Sequence, residues 1–331
     1  MGFGFFFVLS TLIKIKICIF AQQDNAAMDI FEVHILGCGS ALPTTRHNAS
    51  SQVVRVGNKQ YMIDCGEGTQ LQLRRSHVHF AFINTIFISH LHGDHCFGIF
   101  PLISTLGLYG KKTPLTIYAP KPFGEILECH LRYFDKELPY EVEWVEVDTT
   151  KHQIIFENRT FEVWSIPLRH RVPTSGYLFR EKPLARNVDK FAIERWGLSV
   201  KQIVAAKEGN DIELEDGTIL PNEKITFVAH PPQSYAYCSD TNRSGAVAKY
   251  VAGVDMLYHE ATYGAAHKKE AKERGHATSE DAAKTAVAAG VKKLLIGHFS
   301  SRYKDKEPLL AEARAIFPET YIATEGETFR I

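Results

Sequence analysis

The hydrophobic and polar positions from residue 31 onward alternate between short apolar runs and longer amphipathic stretches. Short apolar or alternating runs predict strands, and apolar residues spaced by three and four predict helices. The predicted strands are 31–36, 51–56, 60–63, 85–88, 114–118, 141–147, 153–156, 161–166, 176–179, 225–229, 235–240, 254–258 and 294–296. The predicted helices are 70–76, 99–108, 123–134, 278–289 and 306–316. This alternation is typical of an α/β (α+β) chain.

Residues 181–224 interrupt this alternation with charges, glycines and prolines between short apolar fragments. A long segment without a regular pattern predicts an insertion or arm and not an element of the core. Near its end, Asp216-Gly217 is a pair typical of turns, and the regular pattern resumes at residue 225.

The first 20 residues are strongly apolar but are interrupted by Lys14 and Lys16. A targeting segment or a short membrane anchor would explain the apolar character, although no basic residue precedes the run. Alternatively, the chain starts at Met28, because a strand pattern begins directly after it, and residues 1–27 are a leader outside the fold. We favour the second interpretation, in which the leader is a translation-start artefact.

The charge balance excludes one class of partner and leaves another open. Lys and Arg number 38, as do Asp and Glu, so the formal net charge is zero. A zero net charge argues against non-specific coating of nucleic acid but is compatible with a local basic track.

The six cysteines lack C-x-x-C spacing. Free thiols in a reducing compartment are therefore favoured, and we expect a cytoplasmic protein.

The densest candidate chemistry is the segment 90–95 (HLHGDH), which directly follows an apolar strand. Imidazoles and a carboxylate beside a buried strand are costly to desolvate unless they bind a cation, for which they are natural ligands. Gly93 allows the chain to turn, so that His90 and His92 face one way while Asp94 and His95 face another. A single tetrahedral ion cannot easily take all four ligands from so short a loop, and two adjacent ions are predicted.

Polar residues also follow several other predicted strands. They are Asp64, His170, Asp240, His259, Glu260 and His298. Any one of them alone is more often a loop residue or a hydrogen-bonded core histidine. Their recurrence at strand ends of an α/β chain indicates one shared site at a sheet edge.

The chain resembles the metallo-β-lactamase superfamily through the segment 90–95, preceded by Asp64 and followed by His170, Asp240 and His298. Within that superfamily it is similar to the ribonuclease Z family of tRNA 3′-processing endonucleases. The narrower resemblance is carried by residues 37–43 (GCGSALP), 64–70 (DCGEGTQ), 259–262 (HEAT), 275–278 (GHAT) and 297–303 (GHFSSRY).

The resemblance implies a metallo-β-lactamase αββα sandwich over residues 29–331, with an inserted tRNA-binding arm at about 181–224. It also implies two zinc ions per subunit, with manganese or another divalent ion as an alternative. The implied ligands are His90, His92 and His170 for the first ion, Asp94, His95 and His298 for the second, and Asp240 as a bridge. Asp64 is expected to orient the ligands by hydrogen bonding.

The implied activity is endonucleolytic removal of the 3′ trailer from precursor tRNA, by metal-hydroxide attack that leaves a 3′-hydroxyl on the tRNA. Asp94 is placed to take the proton of the attacking water. His276, oriented by Glu260, would protonate the leaving 3′ oxygen. Ser300 and Arg302 are candidate phosphate contacts. The resemblance further implies a homodimer, and no membrane partner is expected.

Departures from the family pattern concern the arm and the loop at His276. The region 196–201 (WGLSVK) lacks the Gly-Pro pair of longer-armed members, and Ala277 replaces the commoner serine. The arm keeps basic candidates for tRNA contact, which are Lys182, Arg186, Lys190, Arg195, Lys201 and Lys207. Such side chains are expected to contact phosphates.

Other functions are compatible with parts of this pattern. A small-molecule phosphodiesterase or another hydrolase of the superfamily would need no basic arm. A β-lactamase fits less well, because His276 and Arg302 suit a phosphate better than a β-lactam carboxylate. The non-enzyme alternative is an RNA-binding or scaffold protein with structural zinc, but such sites are usually closed by a full set of protein ligands.

Overall fold

The structure is a computed structural model that describes residues 30–42, 44–45, 47–76 and 78–331. The interpretations of residues 1–27 as a leader and of Met28 as the start lie outside the described residues. Among the described residues, every helix falls short of the length and apolar character needed to traverse a lipid bilayer.

The described part of the chain contains strands and helices in an irregular alternation. The strands are β1 (Phe31–Gly37), β2 (Ser51–Val56), β3 (Lys59–Ile63), β4 (Ile83–Phe87), β5 (Leu115–Ala119), β6 (Val142–Glu146), β7 (Ile154–Glu157), β8 (Phe161–Pro167), β9 (Ser175–Glu181), β10 (Asn187–Val188), β11 (Ile212–Glu213), β12 (Ile219–Leu220), β13 (Thr226–Phe227), β14 (Ser234–Cys238), β15 (Met256–Glu260), β16 (Lys293–Gly297), β17 (Thr320–Ile322) and β18 (Thr328–Arg330). The α-helices are α1 (Thr69–Arg75), α2 (Gly93–Cys96), α3 (Ile99–Leu108), α4 (Phe123–Tyr133), α5 (Lys190–Trp196), α6 (Val200–Lys207), α7 (Asn222–Ile225), α8 (Gly245–Tyr250), α9 (Lys268–Arg274), α10 (Ser279–Ala289) and α11 (Glu307–Arg314).

The strands assemble into two large sheets. The first is seven-stranded in the order β18-β1-β2-β3-β4-β5-β6, and the second is seven-stranded in the order β17-β16-β15-β14-β9-β8-β7. Neighbours from β3 to β6 in the first sheet are parallel, as are those from β14 to β17 in the second. The carboxyl ends of parallel strands meet at one edge of a sheet, where α/β proteins usually bind ligands.

Each sheet packs helices against one face and the other sheet against the opposite face. Leu102 of α3 and Leu127 of α4 belong to the buried cluster of the first sheet. Ala286 of α10 belongs to the corresponding cluster of the second sheet. Between the sheets, the ring centroid of Phe87 in β4 lies 5.3 Å from that of Tyr177 in β9. The resulting layers are helix, sheet, sheet and helix.

The prediction of a strand at 225–229 is confirmed only for residues 226–227. Residues 222–225 form helix α7, and only β13 is extended, paired with β10. The side chain of Thr226 donates to the carbonyl oxygen of Asn222 at 2.8 Å, which stabilises this turn from helix to strand. Helices α8 and α9 and strands β17 and β18 are absent from the prediction, because short helices and three-residue edge strands carry little hydrophobic periodicity.

A second compact unit comprises residues 156–162 and 180–233. Its own apolar cluster consists of Val188, Ala192, Leu198, Ala206, Ile212, Leu220 and Ile225. The buried side chain of Asn222 donates to the carbonyl oxygens of Ala206 at 2.7 Å and Asn210 at 2.9 Å, so α7 is tied to the end of α6. The arm predicted at 181–224 lies inside these ranges.

Candidate metal centre and active site

Strand ends supply most of the candidate ligands. Asp64 follows β3, His90 follows β4, His170 follows β8, Asp240 follows β14 and His298 follows β16. The remaining ligands come from the loop after β4 and from α2, which begins at a glycine directly after that loop. The structure brings all of these side chains except Asp64 into two groups with metal-ligand spacing.

The first group consists of His90, His92, His170 and Asp240, whose ligand atoms lie within 4.8 Å of one another. His92 Nδ1 lies 3.0 Å from His90 Nε2 and 3.3 Å from His170 Nε2. Asp240 Oδ2 lies 3.6 Å from His90 Nε2 and 3.8 Å from His170 Nε2. Ligands of one tetrahedral zinc ion are about 3.3 Å apart, given bond lengths of about 2.0–2.1 Å, so these atoms fit a single ion.

The second group consists of Asp94, His95 and His298, whose ligand atoms also lie within 4.8 Å of one another. His298 Nε2 lies 3.2 Å from His95 Nε2 and 3.4 Å from Asp94 Oδ2. His95 Nε2 lies 3.5 Å from Asp94 Oδ2. These separations match those of a second ion with nitrogen and oxygen ligands.

Asp240 lies between the two groups and turns one carboxylate oxygen towards each. While Oδ2 faces the first group, Oδ1 lies 3.1 Å from His298 Nε2 and 3.5 Å from His95 Nε2. Oδ1 is buried and has no hydrogen-bond partner among the described residues. A buried carboxylate oxygen without a donor is costly unless a cation satisfies it. The donor set therefore fits two divalent ions that share Asp240.

The second ring nitrogen of four of the histidines contacts a neighbouring protein group. These contacts join His90 Nδ1 to Ser89 Oγ (3.0 Å), His95 Nδ1 to Asp64 Oδ2 (2.7 Å), His170 Nδ1 to the carbonyl oxygen of Gly275 (2.8 Å) and His298 Nδ1 to Thr262 Oγ1 (2.9 Å). Hydrogen bonds of this kind fix the tautomer and the orientation of a ring, which leaves Nε2 free for an ion.

Asp64 is buried between β3 and the ligand groups. Its carboxylate accepts hydrogen bonds from the backbone N–H of Ser89 at 2.7 Å and from the Tyr237 hydroxyl at 2.7 Å. Asp64 has φ 56° and His298 has φ 59°, both in the left-handed region that non-glycine residues rarely adopt. Such strain persists where the surroundings over-determine the backbone, and it is concentrated at functional sites.

The pKa values of five candidate ligands favour the protonation states that metal binding requires. His95 is the exception, because the carboxylates of Asp94, Asp240 and Asp64 outweigh burial and raise its pKa well above the ordinary value. Burial lowers the pKa of His90 well below its ordinary value and also lowers those of His92 and His170. Their rings are therefore neutral at pH 7. Burial opposes ionisation of Asp94 and Asp240, but the histidines of the second group outweigh it and lower the pKa of both carboxyls.

His276 and Glu260 form a pair beside the ligand groups, and His276 also lies within metal-ligand spacing of Asp240 and His298. His276 Nδ1 donates to Glu260 Oε1 at 3.0 Å. Glu260 is fully buried at the end of β15, and it also accepts from the backbone N–H of Thr241 at 2.8 Å and from Thr262 Oγ1 at 2.6 Å. Burial lowers the pKa of His276, but the Glu260 carboxylate outweighs it and raises the pKa to about 9. His276 is therefore protonated at pH 7 and able to act as a general acid.

A cavity of about 380 Å³ opens over the site. It is lined by Ser40, Ala41, Ala49, Glu67, His92, Gly93, Asp94, Phe97, Arg171, Asp240 and His276. Because Asp94, Asp240 and His276 all line it, a bound phosphodiester can reach the candidate ligands and the candidate acid together.

Sequence comparisons connect this geometry to known proteins. The profile of a family described as "Anti-Pycsar protein Apyc1" matches residues 31–180. The ribonuclease Z of Bacteroides fragilis is 47% identical over 299 residues, which are 90% of this chain and 98% of that protein. The ribonuclease Z of Porphyromonas gingivalis is 47% identical over 298 residues, with 90% and 98% covered. The chain belongs to the ribonuclease Z family.

Solved structures agree with this assignment to the ribonuclease Z family. The short form of human tRNase Z is 25% identical, with a TM-score of 0.66, and the match covers 91% of this chain and 99% of that one. The metallo-β-lactamase fold protein YhfI of Bacillus subtilis, 19% identical with a TM-score of 0.64, covers 90% and 98% and shows the fold alone. The predicted metallo-β-lactamase αββα sandwich and the predicted ribonuclease family are confirmed.

Ser300 and Arg302 of this ribonuclease Z family member lie outside the ligand groups. Arg302 forms two hydrogen bonds with the Glu270 carboxylate, at 2.9 and 2.8 Å, and its guanidinium lies 5.0 Å from the ring centroid of Tyr263. In the predicted arm, Lys182 Nζ lies 2.8 Å from Glu157 Oε2. The roles of these residues in binding phosphate and tRNA stay predictions.

Several residues around the candidate ligands are not predicted by the sequence. Ser89 directly precedes the HLHGDH segment and Thr262 ends the HEAT segment, so their positions carried a signal. Tyr237 lies in β14 and donates to Asp64, but a tyrosine in a strand is usually interpreted as core. Phe97 and Arg171 line the cavity without belonging to any motif used for prediction.

Proposed function

We propose that this ribonuclease Z family member is a zinc-dependent endoribonuclease that removes the 3′ trailer from precursor tRNA and leaves a 3′-hydroxyl on the tRNA. The observation that carries the proposal is the position of the His276–Glu260 pair beside two ligand groups that share Asp240, with His276 Nδ1 3.9 Å from Asp240 Oδ2. The names of the relatives, ribonuclease Z and tRNase Z, support the substrate class.

Each proposed zinc ion has its own ligand set. The first would be held by His90, His92 and His170, the second by Asp94, His95 and His298, and both by Asp240. Asp64 orients this set through His95. Manganese or another divalent ion is compatible with the same nitrogen and oxygen ligands. When bound, such ions lower the pKa of a shared water and screen charge on the phosphoryl oxygens.

Two side chains are assigned to proton transfer. The carboxylate of Asp94, oriented by a 2.6 Å hydrogen bond from the backbone N–H of Ala41, accepts a proton from the attacking water. The water oxygen forms the new bond to phosphorus as the bond to the 3′ oxygen breaks. His276, held by Glu260, gives its proton to that leaving oxygen. The tRNA then ends in a 3′-hydroxyl, and the trailer carries the phosphate.

Substrate contacts are assigned to basic side chains of the arm and to the C-terminal loop. In the arm at about 181–224, the proposed contacts to the tRNA backbone are Lys182, Arg186, Lys190, Arg195 and Lys201. In the loop, Ser300 and Arg302 would contact a phosphate near the acceptor end. A phosphate can replace the Glu270 carboxylate on Arg302, since both accept paired hydrogen bonds from a guanidinium.

We also propose a homodimer in the cytoplasm. Exposed apolar side chains support self-association, since Leu108 at the end of α3 is 89% exposed and Phe134 after α4 is 77% exposed. Analytical ultracentrifugation at micromolar concentration is expected to give twice the mass of one chain. A single-chain mass would contradict the dimer, and microscopy of the tagged protein tests the location.

The central test uses a 3′-extended precursor tRNA, with and without a chelator. We expect one cut at the acceptor end, a 3′-hydroxyl on the tRNA and loss of cutting in the chelator. Elemental analysis is expected to give two zinc ions per chain. Asp94→Ala is expected to abolish cleavage, because it removes both a ligand and the proton acceptor. Cleavage that survives complete metal removal would contradict the proposal.

A further inference from the structure

Phe97 is an exposed aromatic side chain in a cavity otherwise lined largely by charged groups and imidazoles. It is 61% exposed and directly follows α2, the helix that carries Asp94 and His95. An aromatic ring left in water forgoes the stabilisation that burial would give it. At the mouth of a catalytic cavity, such a ring is well placed to be covered by substrate.

The ring edge of Phe97 packs over the backbone of Gly93. A Cβ at residue 93 would lie 2.5 Å from Phe97 Cε2 and 2.7 Å from Cδ2, so only glycine leaves room for the ring edge. The backbone N–H of Phe97 also donates to the carbonyl oxygen of Gly93 at 3.0 Å. The ring therefore lies over the start of the helix that carries Asp94.

The cavity combines this aromatic face with charge suited to a nucleotide. Arg171 follows the candidate ligand His170 and lines the same cavity, where its guanidinium attracts a phosphate. Proteins bind unpaired nucleotides by pairing cationic groups for the backbone with aromatic rings on which the bases stack. Phe97 and Arg171 offer these two elements beside the candidate metal ligands.

We propose that Phe97 is a stacking platform for a nucleobase that flanks the cleaved phosphodiester, and that it determines specificity for unpaired RNA at the acceptor end. The inference rests on the proposed function. Ions held by the candidate ligands, together with Arg171, would bind the phosphate, whereas Phe97 would hold the adjoining base in place. A phosphodiester without a base at that position is not stabilised by stacking on Phe97.

The test compares Phe97→Ala with wild type on three precursor tRNAs. One is intact, one lacks the base of the last nucleotide retained by the tRNA, and one lacks the base of the first trailer nucleotide. On the intact precursor we expect kcat/KM to fall about ten- to hundredfold, mainly through KM. On one of the two abasic precursors, variant and wild type should become equal. Phe97→Trp is expected to retain most of the activity on the intact precursor.

Controls separate stacking from a structural role. Phe82→Ala removes a ring that is 66% exposed but does not line the cavity, and it should leave all three rates unchanged. Zinc content and the thermal midpoint of Phe97→Ala should equal those of wild type. An equal loss on all three precursors, or no loss on the intact one, overturns the inference. Failure of the wild type to cut the intact precursor would instead overturn the proposed function.

Discussion

At the scale of single residues, His276 distinguishes a catalytic site from a metal-binding cluster. We expect His276→Ala to lower the single-turnover rate of precursor cleavage by about 10²–10⁴-fold, because the leaving 3′ oxygen loses its proton donor. The variant should keep both zinc ions, as measured by elemental analysis, since the proposed ligand sets omit it.

A role for His276 as a metal ligand is the alternative, because Asp240, His276 and His298 also lie within metal-ligand spacing of one another. If His276→Ala loses zinc, the residue is a ligand and not the general acid. The matched control is His79→Ala, which removes an imidazole outside the cavity and should change neither rate nor metal content.

The bridging role of Asp240 makes a different prediction about metal content. Its two oxygens face different ligand groups, whereas His92 belongs to the first group alone. Asp240→Ala should therefore lower the affinity of the protein for both ions, and His92→Ala should lower its affinity for one. Stepwise chelator titration followed by mass spectrometry of the native protein measures the difference. A loss of the same single ion from both variants would contradict the bridge.

At the scale of elements, the start of α3 is pressed against the loop that follows β3. A Cβ at Gly98 would lie 2.0 Å from the carbonyl oxygen of Gly66, and the Gly98 N–H already donates to the carbonyl oxygen of Cys65 at 2.8 Å. We expect Gly98→Ala to lower the free energy of unfolding by about 1–3 kcal/mol in urea titrations. Gly245→Ala, with no atom within 4 Å of its Cβ, should change it by less than about 0.5 kcal/mol. Equal effects would contradict the clash.

The positions of the strands and helices also explain which features could be predicted from the sequence alone. The candidate ligands were predictable because chemistry and position coincide in them, as when Asp240 follows β14 and His298 follows β16. The role of Tyr237 could not be predicted, because only the tertiary structure shows that its hydroxyl donates to Asp64. The strand predicted at 225–229 is shorter than expected, because Ile225 ends α7 and packs into the small core of the second unit, whereas Val228 follows β13 and is exposed.

At the scale of the whole molecule, the candidate catalytic residues and the candidate tRNA contacts lie in different compact units, although the net charge of the chain is zero. The ligand groups and the His276–Glu260 pair belong to one compact unit, and the basic residues of the predicted arm belong to the other. The first unit contains every residue to which the proposed function assigns metal binding or proton transfer. Discrimination between tRNA and a small ester should therefore depend on the second unit, which separates the proposed function from that of a small-molecule phosphodiesterase.

Reversing two arm charges tests this dependence without touching the catalytic unit. Lys190 and Lys201 lie in the first turns of α5 and α6, where glutamate is favoured by the helix dipole, so substitution by glutamate should not unfold the arm. We expect KM for precursor tRNA to rise at least about tenfold and the salt slope of log kcat/KM to fall by up to about 2. Hydrolysis of bis(p-nitrophenyl) phosphate should be unchanged. Reversal of Lys112 and Lys136, two exposed charges of the first unit, is the matched control, and equal losses in both double variants would contradict an arm-specific contact.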